Sequence, residues 1–147
     1  NKTIMNMKQI HSFDNLLQDP KIEVMKIIAF DSRGHEAFTD IKKEIATMGD
    51  LVVTSSSSSN IEINEQHAQK GLALLDYAKL KGIEPEEIAA IGDNLNDESM
   101  IRAAGTGVAM GNAIPAIKKI AQVVTKRNNE DGVAYILNKF IADNNNI

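Results

Sequence analysis

One acidic stretch constrains this chain more than any other: residues 88–113, which read IAAIGDNLNDESMIRAAGTGVAMGNA. It opens with four apolar residues, as expected of a strand that is buried on both faces of a parallel sheet. Gly92 then permits a turn, and the polar residues Asp93, Asn94, Asn96 and Asp97 follow where the strand ends. Ligands of open α/β sheets bind in the crevice beyond the carboxyl ends of the strands. The stretch therefore predicts an α/β protein with carboxylates and amides at a sheet edge.

The residues after this turn continue the α/β pattern to the end of the chain. Residues 98–104 have helical spacing, so Asn94 or Asn96 can cap that helix and its first amides would face the crevice. The further predicted elements are a strand at 107–110, a helix at 114–121, a strand at 122–125 and a helix around 131–142. Upstream, residues 70–81 predict a helix that ends at Gly82, with Leu72, Leu75, Ala78 and Leu80 on its inward face.

The first part of the chain has a different order of elements. The predicted elements are a helix within residues 1–18, a strand at 22–30, a helix at 35–48, a strand at 51–54 and another strand from Asn60. Between the last two lie five serines, Ser55 to Ser59, which suit a flexible linker, an edge strand or a hairpin. Because strand-like residues resume directly after the serines, we favour a strand or hairpin over the linker.

Composition excludes several classes of protein. A chain of 147 residues, 43% of them hydrophobic, is large enough for one core or two small ones. A net charge of −4 argues against a nucleic-acid-binding surface, which needs a basic patch. The absence of cysteine excludes disulfides and thiolate metal sites. There is also no apolar run long enough to span a membrane, so we expect a soluble cytoplasmic protein. The sequence makes no prediction of the oligomeric state.

Four segments carry a family resemblance. Residues 92–97 (GDNLND) with Met100, followed by residues 107–113 (GVAMGNA), resemble the last motif of haloacid-dehalogenase-type phosphatases. The similarity is closest to the Cof-type branch, which hydrolyses small phosphorylated metabolites. Lys70, followed by glycine, resembles the lysine motif of the family, and residues 131–134 (DGVA) resemble its closing helix. The resemblance is strong over residues 61–140 and loose before them.

The resemblance implies a fold and a division of the chain. Residues 61–147 would form the C-terminal half of a Rossmann-like core with a parallel sheet. Residues 1–60 would form part of an α/β cap of the C2 type, the module that Cof-type phosphatases insert into their core.

The resemblance also implies a role for each polar residue of the site. Asp93 would bind Mg²⁺, a cation that proteins hold with one or two carboxylates plus phosphate and water. Lys70 and Asn96 would hold the transferring phosphoryl group, and Lys70 and Asp97 would be the catalytic residues supplied by this chain. Taken alone, Lys70 could equally be a solvated surface lysine and Asp97 an acid in the first turn of a helix. Asn94 could serve only as a helix cap.

The nucleophile of the family is absent from this chain. These phosphatases use Asp-x-Asp-x-Thr after a strand, and here no two aspartates stand two positions apart. The nearest match is Asp31 after an apolar strand, but Arg33 stands where the second aspartate belongs and His35 where the threonine belongs. Without a nucleophilic carboxylate the two-step hydrolysis cannot proceed. We therefore expect the chain to be the C-terminal part of a phosphatase and to be inactive alone.

Two other functions stay open at this point. The chain could be a non-catalytic phosphate-binding or regulatory module that keeps the phosphate end of the fold. The phosphorylation domain of a P-type ion pump has a similar GDxxND segment, although the lack of a membrane span and the cap-like opening argue against it. The substrate also stays open among sugar phosphates, nucleotides and cofactor phosphates.

Overall fold

A computed structural model of the chain describes residues 10–14 and 18–144. These residues form two three-stranded sheets, one antiparallel and one parallel, with helices packed against them. The helix predicted within residues 1–18 lies mostly outside the described residues. No helix in the described part of the chain is long and apolar enough to cross a membrane.

The first sheet is antiparallel and has the order β1-β3-β2. Its strands are β1 (Ile27–Phe30), β2 (Leu51–Thr54) and β3 (Asn60–Glu65). The strand predicted at 22–30 is therefore shorter, since only its last four residues pair with β3. The serine run connects β2 to β3, which pair antiparallel, so the predicted hairpin is confirmed.

Between β1 and β2, the predicted helix at 35–48 is shorter and less regular. A turn of 3-10 helix, His35–Phe38, leads into α1 (Thr39–Ile45). Phe38 and Ile45 are buried, whereas Ile41 and Met48, which have the same helical spacing, are exposed.

The strand β3 crosses the predicted division of the chain. The boundary expected after residue 60 falls at the first residue of β3, yet β3 is the central strand of the antiparallel sheet. A strand cannot be divided between two modules without breaking its hydrogen-bond ladder. We therefore move the proposed boundary to the segment between Glu65 and Lys70.

The second sheet is parallel, with the order β4-β5-β6. Its strands are β4 (Ala89–Gly92), β5 (Thr106–Ala109) and β6 (Val123–Val124). The helices of this half are α2 (Lys70–Lys81), α3 (Glu98–Ala103), α4 (Pro115–Ile120) and α5 (Gly132–Asn144). The predicted α/β class with a parallel sheet is confirmed.

The core of this half joins α3, β5 and α4. Its buried members are Ile101, Ala109, Met110, Ala113 and Ile117. The inward face predicted for α2 is partly wrong, since Leu72 is 39% exposed and Leu80 is 78% exposed. Ala78 is buried as predicted, and the other buried position is Gly71, about two helical turns earlier. Small residues face inward here because α2 and α3 approach so closely that larger side chains do not fit between them.

Candidate active site

The acidic turn begins where β4 ends. Asn94 is the N-cap of a short 3-10 helix, Leu95–Asp97, and its side-chain oxygen accepts a hydrogen bond from the backbone N–H of Leu95 at 2.8 Å. This cap satisfies an amide that would otherwise lack a partner at the start of the helix. The cap predicted for the helix at 98–104 is therefore wrong: Asn94 caps the 3-10 turn that precedes α3, and the N-cap of α3 itself is Asp97, without a side-chain cap bond.

Asp97 joins the two sides of the turn. Its Oδ1 accepts a hydrogen bond from Lys70 Nζ at 2.6 Å, and its Oδ2 accepts from the backbone N–H groups of Asp93 at 2.9 Å and of Asn94 at 3.4 Å. The residue is only 6% exposed. Both carboxylate oxygens are thus engaged, so Asp97 fixes the shape of the turn and the position of the lysine.

Lys70 is the first residue of α2, where a positive charge faces the positive end of the helix dipole. The Asp97 carboxylate offsets that unfavourable interaction. The helix start is also held against α3, because the backbone N–H of Gly71 donates to Ser99 Oγ at 3.0 Å. A Cβ on Gly71 would lie 2.4 Å from the backbone oxygen of Ser99. Only glycine at this position allows α2 to bring the lysine to the acidic turn.

Asp93 is half-buried and points to the other side of the turn. Its Oδ2 accepts a hydrogen bond from Asn112 Nδ2 at 2.9 Å, and Asn112 Oδ1 in turn accepts from the backbone N–H of Asn128 at 2.9 Å. The sequence motif contains Asn112, but no role was predicted for it. Its contact joins two loops that are distant in sequence, so residue spacing alone carries no sign of it.

The donor set that a metal could use here is small. In the described part of the chain, no group of three or more His, Cys, Asp or Glu side chains could hold a metal ion. Asp93 Oδ1 accepts no hydrogen bond from the described residues, whereas Asp97 has no such free oxygen. Asp93 is therefore the carboxylate of this turn that could coordinate a hard cation such as Mg²⁺, which takes few protein ligands.

The serine hairpin touches the acidic turn, a contact that the sequence did not reveal. The backbone oxygen of Ser55 accepts from the N–H of Asn96 at 3.1 Å, and Ser55 Oγ donates to Asn94 Oδ1 at 3.4 Å. Ser55 is fully buried. The hairpin of the antiparallel sheet therefore helps to hold the turn of the parallel sheet.

A cavity of about 350 Å³ lies between the antiparallel sheet and the start of α3. Lys70 and Asn96 line it, and residues of β2 and β3 form the opposite wall. Asp97 lies beneath Lys70 through their hydrogen bond, while Asp93 is outside the lining. The structure thus brings Lys70, Asn96 and Asp97 together, with Asp93 at the edge of the same turn.

Comparison with known proteins shows to which family the chain is similar. A family model described as haloacid dehalogenase-like hydrolase matches residues 1–137. The phosphatase YwpJ of Bacillus subtilis is 44% identical over 129 residues, covering 87% of this chain and 45% of that protein. The 5-amino-6-(5-phospho-D-ribitylamino)uracil phosphatase YcsE of the same organism is 38% identical over 112 residues, covering 76% of this chain and 45% of that protein.

A solved structure gives the same result. A haloacid dehalogenase-like hydrolase from B. subtilis superposes with a TM-score of 0.81 at 43% identity, covering 88% of this chain and 45% of that one. The chain thus spans about half the length of the relatives it matches. The resemblance found in its motifs is confirmed, and the chain belongs to the haloacid dehalogenase-like hydrolase family.

Proposed function

We propose that this chain supplies the metal-binding and phosphate-holding part of a phosphatase that acts on small phosphorylated metabolites. In this proposal the antiparallel sheet is part of a cap, and the parallel sheet is the C-terminal half of the catalytic core. The observation that carries the proposal is the contact of 2.6 Å between Lys70 Nζ and Asp97 Oδ1, which holds the positively charged ammonium group of Lys70 at the carboxyl end of β4.

Each residue of the site has a role in the proposal that follows from its surroundings. Lys70, half exposed and directed to the cavity, would neutralise charge on the phosphoryl oxygens. Asn96, which lines the same cavity, would donate its side-chain amide to a phosphoryl oxygen. Asp97 would keep Lys70 in place. Phosphoryl transfer depends mainly on such positioning and charge stabilisation.

Asp93 would be the carboxylate from this chain that holds Mg²⁺. A bound Mg²⁺ would supply charge neutralisation at the phosphate and would orient it. The hydrogen bond from Asn112 would keep one Asp93 oxygen fixed, so that the other oxygen can point to the cation.

The nucleophile would come from a segment upstream of this chain in a longer protein. There, the first aspartate of an Asp-x-Asp-x-Thr segment would attack phosphorus and form an acyl phosphate, and the second aspartate would give a proton to the ester oxygen, which would leave as the alcohol. Water would then give a proton back to the second aspartate and attack phosphorus, which would release inorganic phosphate and regenerate the first carboxylate. YwpJ and YcsE are named as phosphatases and are about twice as long as the segment they share with this chain, which supports this proposal.

The test is a titration of the chain with MgCl₂ and with inorganic phosphate, followed by backbone amide NMR. We expect Mg²⁺ to shift the resonances around Asp93, and phosphate to shift those around Lys70 and Asn96. Asp93→Asn should abolish the response to Mg²⁺, and Lys70→Met should abolish the response to phosphate. Asp76→Asn, on the exposed side of α2, is the matched control and should change neither. An unchanged Mg²⁺ response in Asp93→Asn would refute the metal assignment.

A hydrolysis assay separates the proposal from its alternative, a non-catalytic phosphate-binding module. The chain alone should not hydrolyse p-nitrophenyl phosphate in the presence of Mg²⁺. A longer natural protein that adds an upstream Asp-x-Asp-x-Thr segment should hydrolyse it, and Asp93→Ala in that protein should abolish the Mg²⁺-dependent turnover. A natural protein that binds phosphate but never hydrolyses an ester would favour the binding module instead.

A further inference from the structure

Two loops at the carboxyl ends of the parallel strands meet beside the acidic turn. The β5–α4 loop (residues 110–114) follows β5, and the β6–α5 loop (residues 125–131) follows β6. The phosphate and metal ligands proposed for this chain lie in neither loop. The contacts between the two loops and the acidic turn nevertheless lead directly to Asp93.

The β5–α4 loop holds both the main chain and the side chain of Asp93. The backbone N–H of Ile114 donates to the backbone oxygen of Asp93 at 3.1 Å, and Asn112 Nδ2 donates to Asp93 Oδ2 at 2.9 Å. At the other end of the loop, the N–H of Met110 donates to the backbone oxygen of Gly92 at 2.9 Å. The β5–α4 loop thus fixes the direction in which the Asp93 carboxylate points.

The β6–α5 loop in turn fixes Asn112. The backbone N–H of Asn128 donates to Asn112 Oδ1 at 2.9 Å, and the N–H of Gly111 donates to the backbone oxygen of Lys126 at 2.9 Å. A backbone N–H can only donate, so the atom of Asn112 that it meets must be the oxygen. The NH₂ group of Asn112 must then face Asp93. The β6–α5 loop therefore selects the orientation of Asn112 that suits an ionised Asp93.

Internal hydrogen bonds hold the β6–α5 loop in shape. Thr125 is buried at its start, and Thr125 Oγ1 donates to the backbone oxygen of Gly132 at 2.7 Å. The N–H of Gly132 donates to the backbone oxygen of Arg127 at 3.1 Å. Asp131 has a φ of 53°, a left-handed conformation that costs free energy in a residue other than glycine and persists only where its surroundings hold it. The loop thus depends on these bonds, and the bond from Thr125 is shielded from water.

We propose that the β6–α5 loop sets the affinity of the site for Mg²⁺, with Thr125 and Asn112 as positioning residues that act through Asp93. This inference rests on the proposed function, because Asp93 must be the carboxylate that binds the cation. A hydrogen-bond partner that orients a metal ligand typically raises metal affinity about 10- to 100-fold. Coupling between two parts of a protein is reciprocal, so bound Mg²⁺ should also hold the loop more firmly.

The first experiment uses the unaltered chain and does not depend on whether a variant folds. MgCl₂ is added at an ionic strength kept constant with KCl, and NMR follows hydrogen exchange of the backbone amides. We expect saturating Mg²⁺ to slow exchange of the Asn128 amide about five-fold or more, because this amide is connected through Asn112 to Asp93. Asp93→Asn should abolish the slowing. Exchange of the Asn128 amide that does not respond to bound Mg²⁺ would overturn the inference.

Variants then measure how much the loop contributes to the affinity for Mg²⁺. Asn112→Ala should weaken Mg²⁺ binding about ten-fold or more. Thr125→Val removes the hydroxyl with little change of shape, and it should weaken Mg²⁺ binding about two-fold or more. Both variants should leave the affinity for inorganic phosphate unchanged, because the phosphate is proposed to bind at Lys70 and Asn96.

Two matched controls make the same chemical changes at other positions. Asn129→Ala changes an exposed asparagine of the same loop. Thr106→Val changes the first residue of β5, which pairs with Ala89 at the end of the sheet away from the acidic turn. Both controls should bind Mg²⁺ as tightly as the unaltered chain does.

A double variant tests whether Thr125 acts through Asn112. If it does, Thr125→Val should weaken Mg²⁺ binding no further in a chain that already carries Asn112→Ala, because residues in one network have non-additive effects. Additive losses of affinity would show two independent effects and would overturn the proposed connection.

The outcomes separate this inference from the proposed function. If the unaltered chain binds no Mg²⁺, or if Asp93→Asn binds it equally well, the metal assignment and the inference both fall. If Asp93→Asn weakens Mg²⁺ binding but Asn112→Ala and Thr125→Val do not, the metal assignment stands and the inference is overturned. Equal losses of Mg²⁺ and phosphate affinity would show that the loop only supports the fold, which would also overturn the inference.

Discussion

Replacing Asp97 with asparagine tests the group on which the acidic turn depends. The carboxylate receives hydrogen bonds from Lys70 Nζ and from two backbone N–H groups, those of Asp93 and Asn94. Asparagine has one oxygen and one NH₂ group, so on one side a donor would face a donor. Hydrogen bonds to a charged group contribute about 1.5–3 kcal/mol each to stability. Because the Lys70 side chain is 50% exposed, water compensates part of the loss. We expect Asp97→Asn to lower the free energy of unfolding by about 2 kcal/mol.

The assay is urea denaturation at pH 7, with Glu98→Gln as the control. Glu98 pairs with Arg102 one turn along α3, at 2.9 Å and on an exposed surface, and such pairs contribute about 0.3–0.5 kcal/mol. The two substitutions remove the same charge from neighbouring positions and differ in burial. If Asp97→Asn costs no more than Glu98→Gln, the hydrogen bonds of Asp97 contribute no more than an exposed ion pair, and the reasoning that makes it the centre of the turn is wrong.

Two more substitutions test the surroundings of the site. In a helix, alanine normally gives about 1 kcal/mol more stability than glycine. Gly71→Ala should instead lower the free energy of unfolding by about 2 kcal/mol, measured by urea denaturation, because the new Cβ would lie 2.4 Å from the backbone oxygen of Ser99. Ala73→Gly, at an exposed position of the same helix, is the control and should lower the free energy of unfolding by only about 1 kcal/mol. If Gly71→Ala stabilised the protein, α2 and α3 could not approach each other as closely as the structure shows. Lys26 Nζ donates a hydrogen bond to Glu62 Oε2 at 2.6 Å, so Lys26→Met should raise the pKa of Glu62, which carboxyl NMR measures. Since the folded pKa of Glu62 lies below the ordinary 4.5, the stability that the Lys26–Glu62 pair contributes is complete above pH 4.5 and is lost as the pH falls through the folded pKa. The Lys26→Met variant should not show this loss of stability at low pH.

Local pattern predicted the elements around the site well. The helix predicted at 70–81 has the bounds of α2, and the strand predicted at 51–54 has those of β2. Both segments have strong periodicity and clear ends, such as Gly82 in a left-handed conformation after α2. The family resemblance assigned Lys70 and Asp97 to one site, whereas residue spacing cannot show that two side chains 27 positions apart meet.

The contacts that the sequence did not predict are those between separate loops. The hydrogen bond from Asn112 to Asp93 and the one from Ser55 to Asn94 both depend on how two loops meet in the fold. The inward face predicted for α2 was partly wrong for a related reason, although Ala78 is buried as predicted. Periodicity favours the largest apolar residues, such as Leu80, whereas a close helix crossing selects glycine and alanine.

The buried polar residues of the described part of the chain show how the hairpin and the turn act together. Apart from Thr125, they all lie in the hairpin or in the turn: Ser55, Asn60, Glu62, Asn64 and Asp97. A core stabilised only by apolar burial would avoid such residues, since each must find a partner. Asp97 and Ser55 find theirs across the acidic turn, so the serine hairpin also fixes Asn94 and Asn96. The hairpin and the acidic turn are therefore one connected structure.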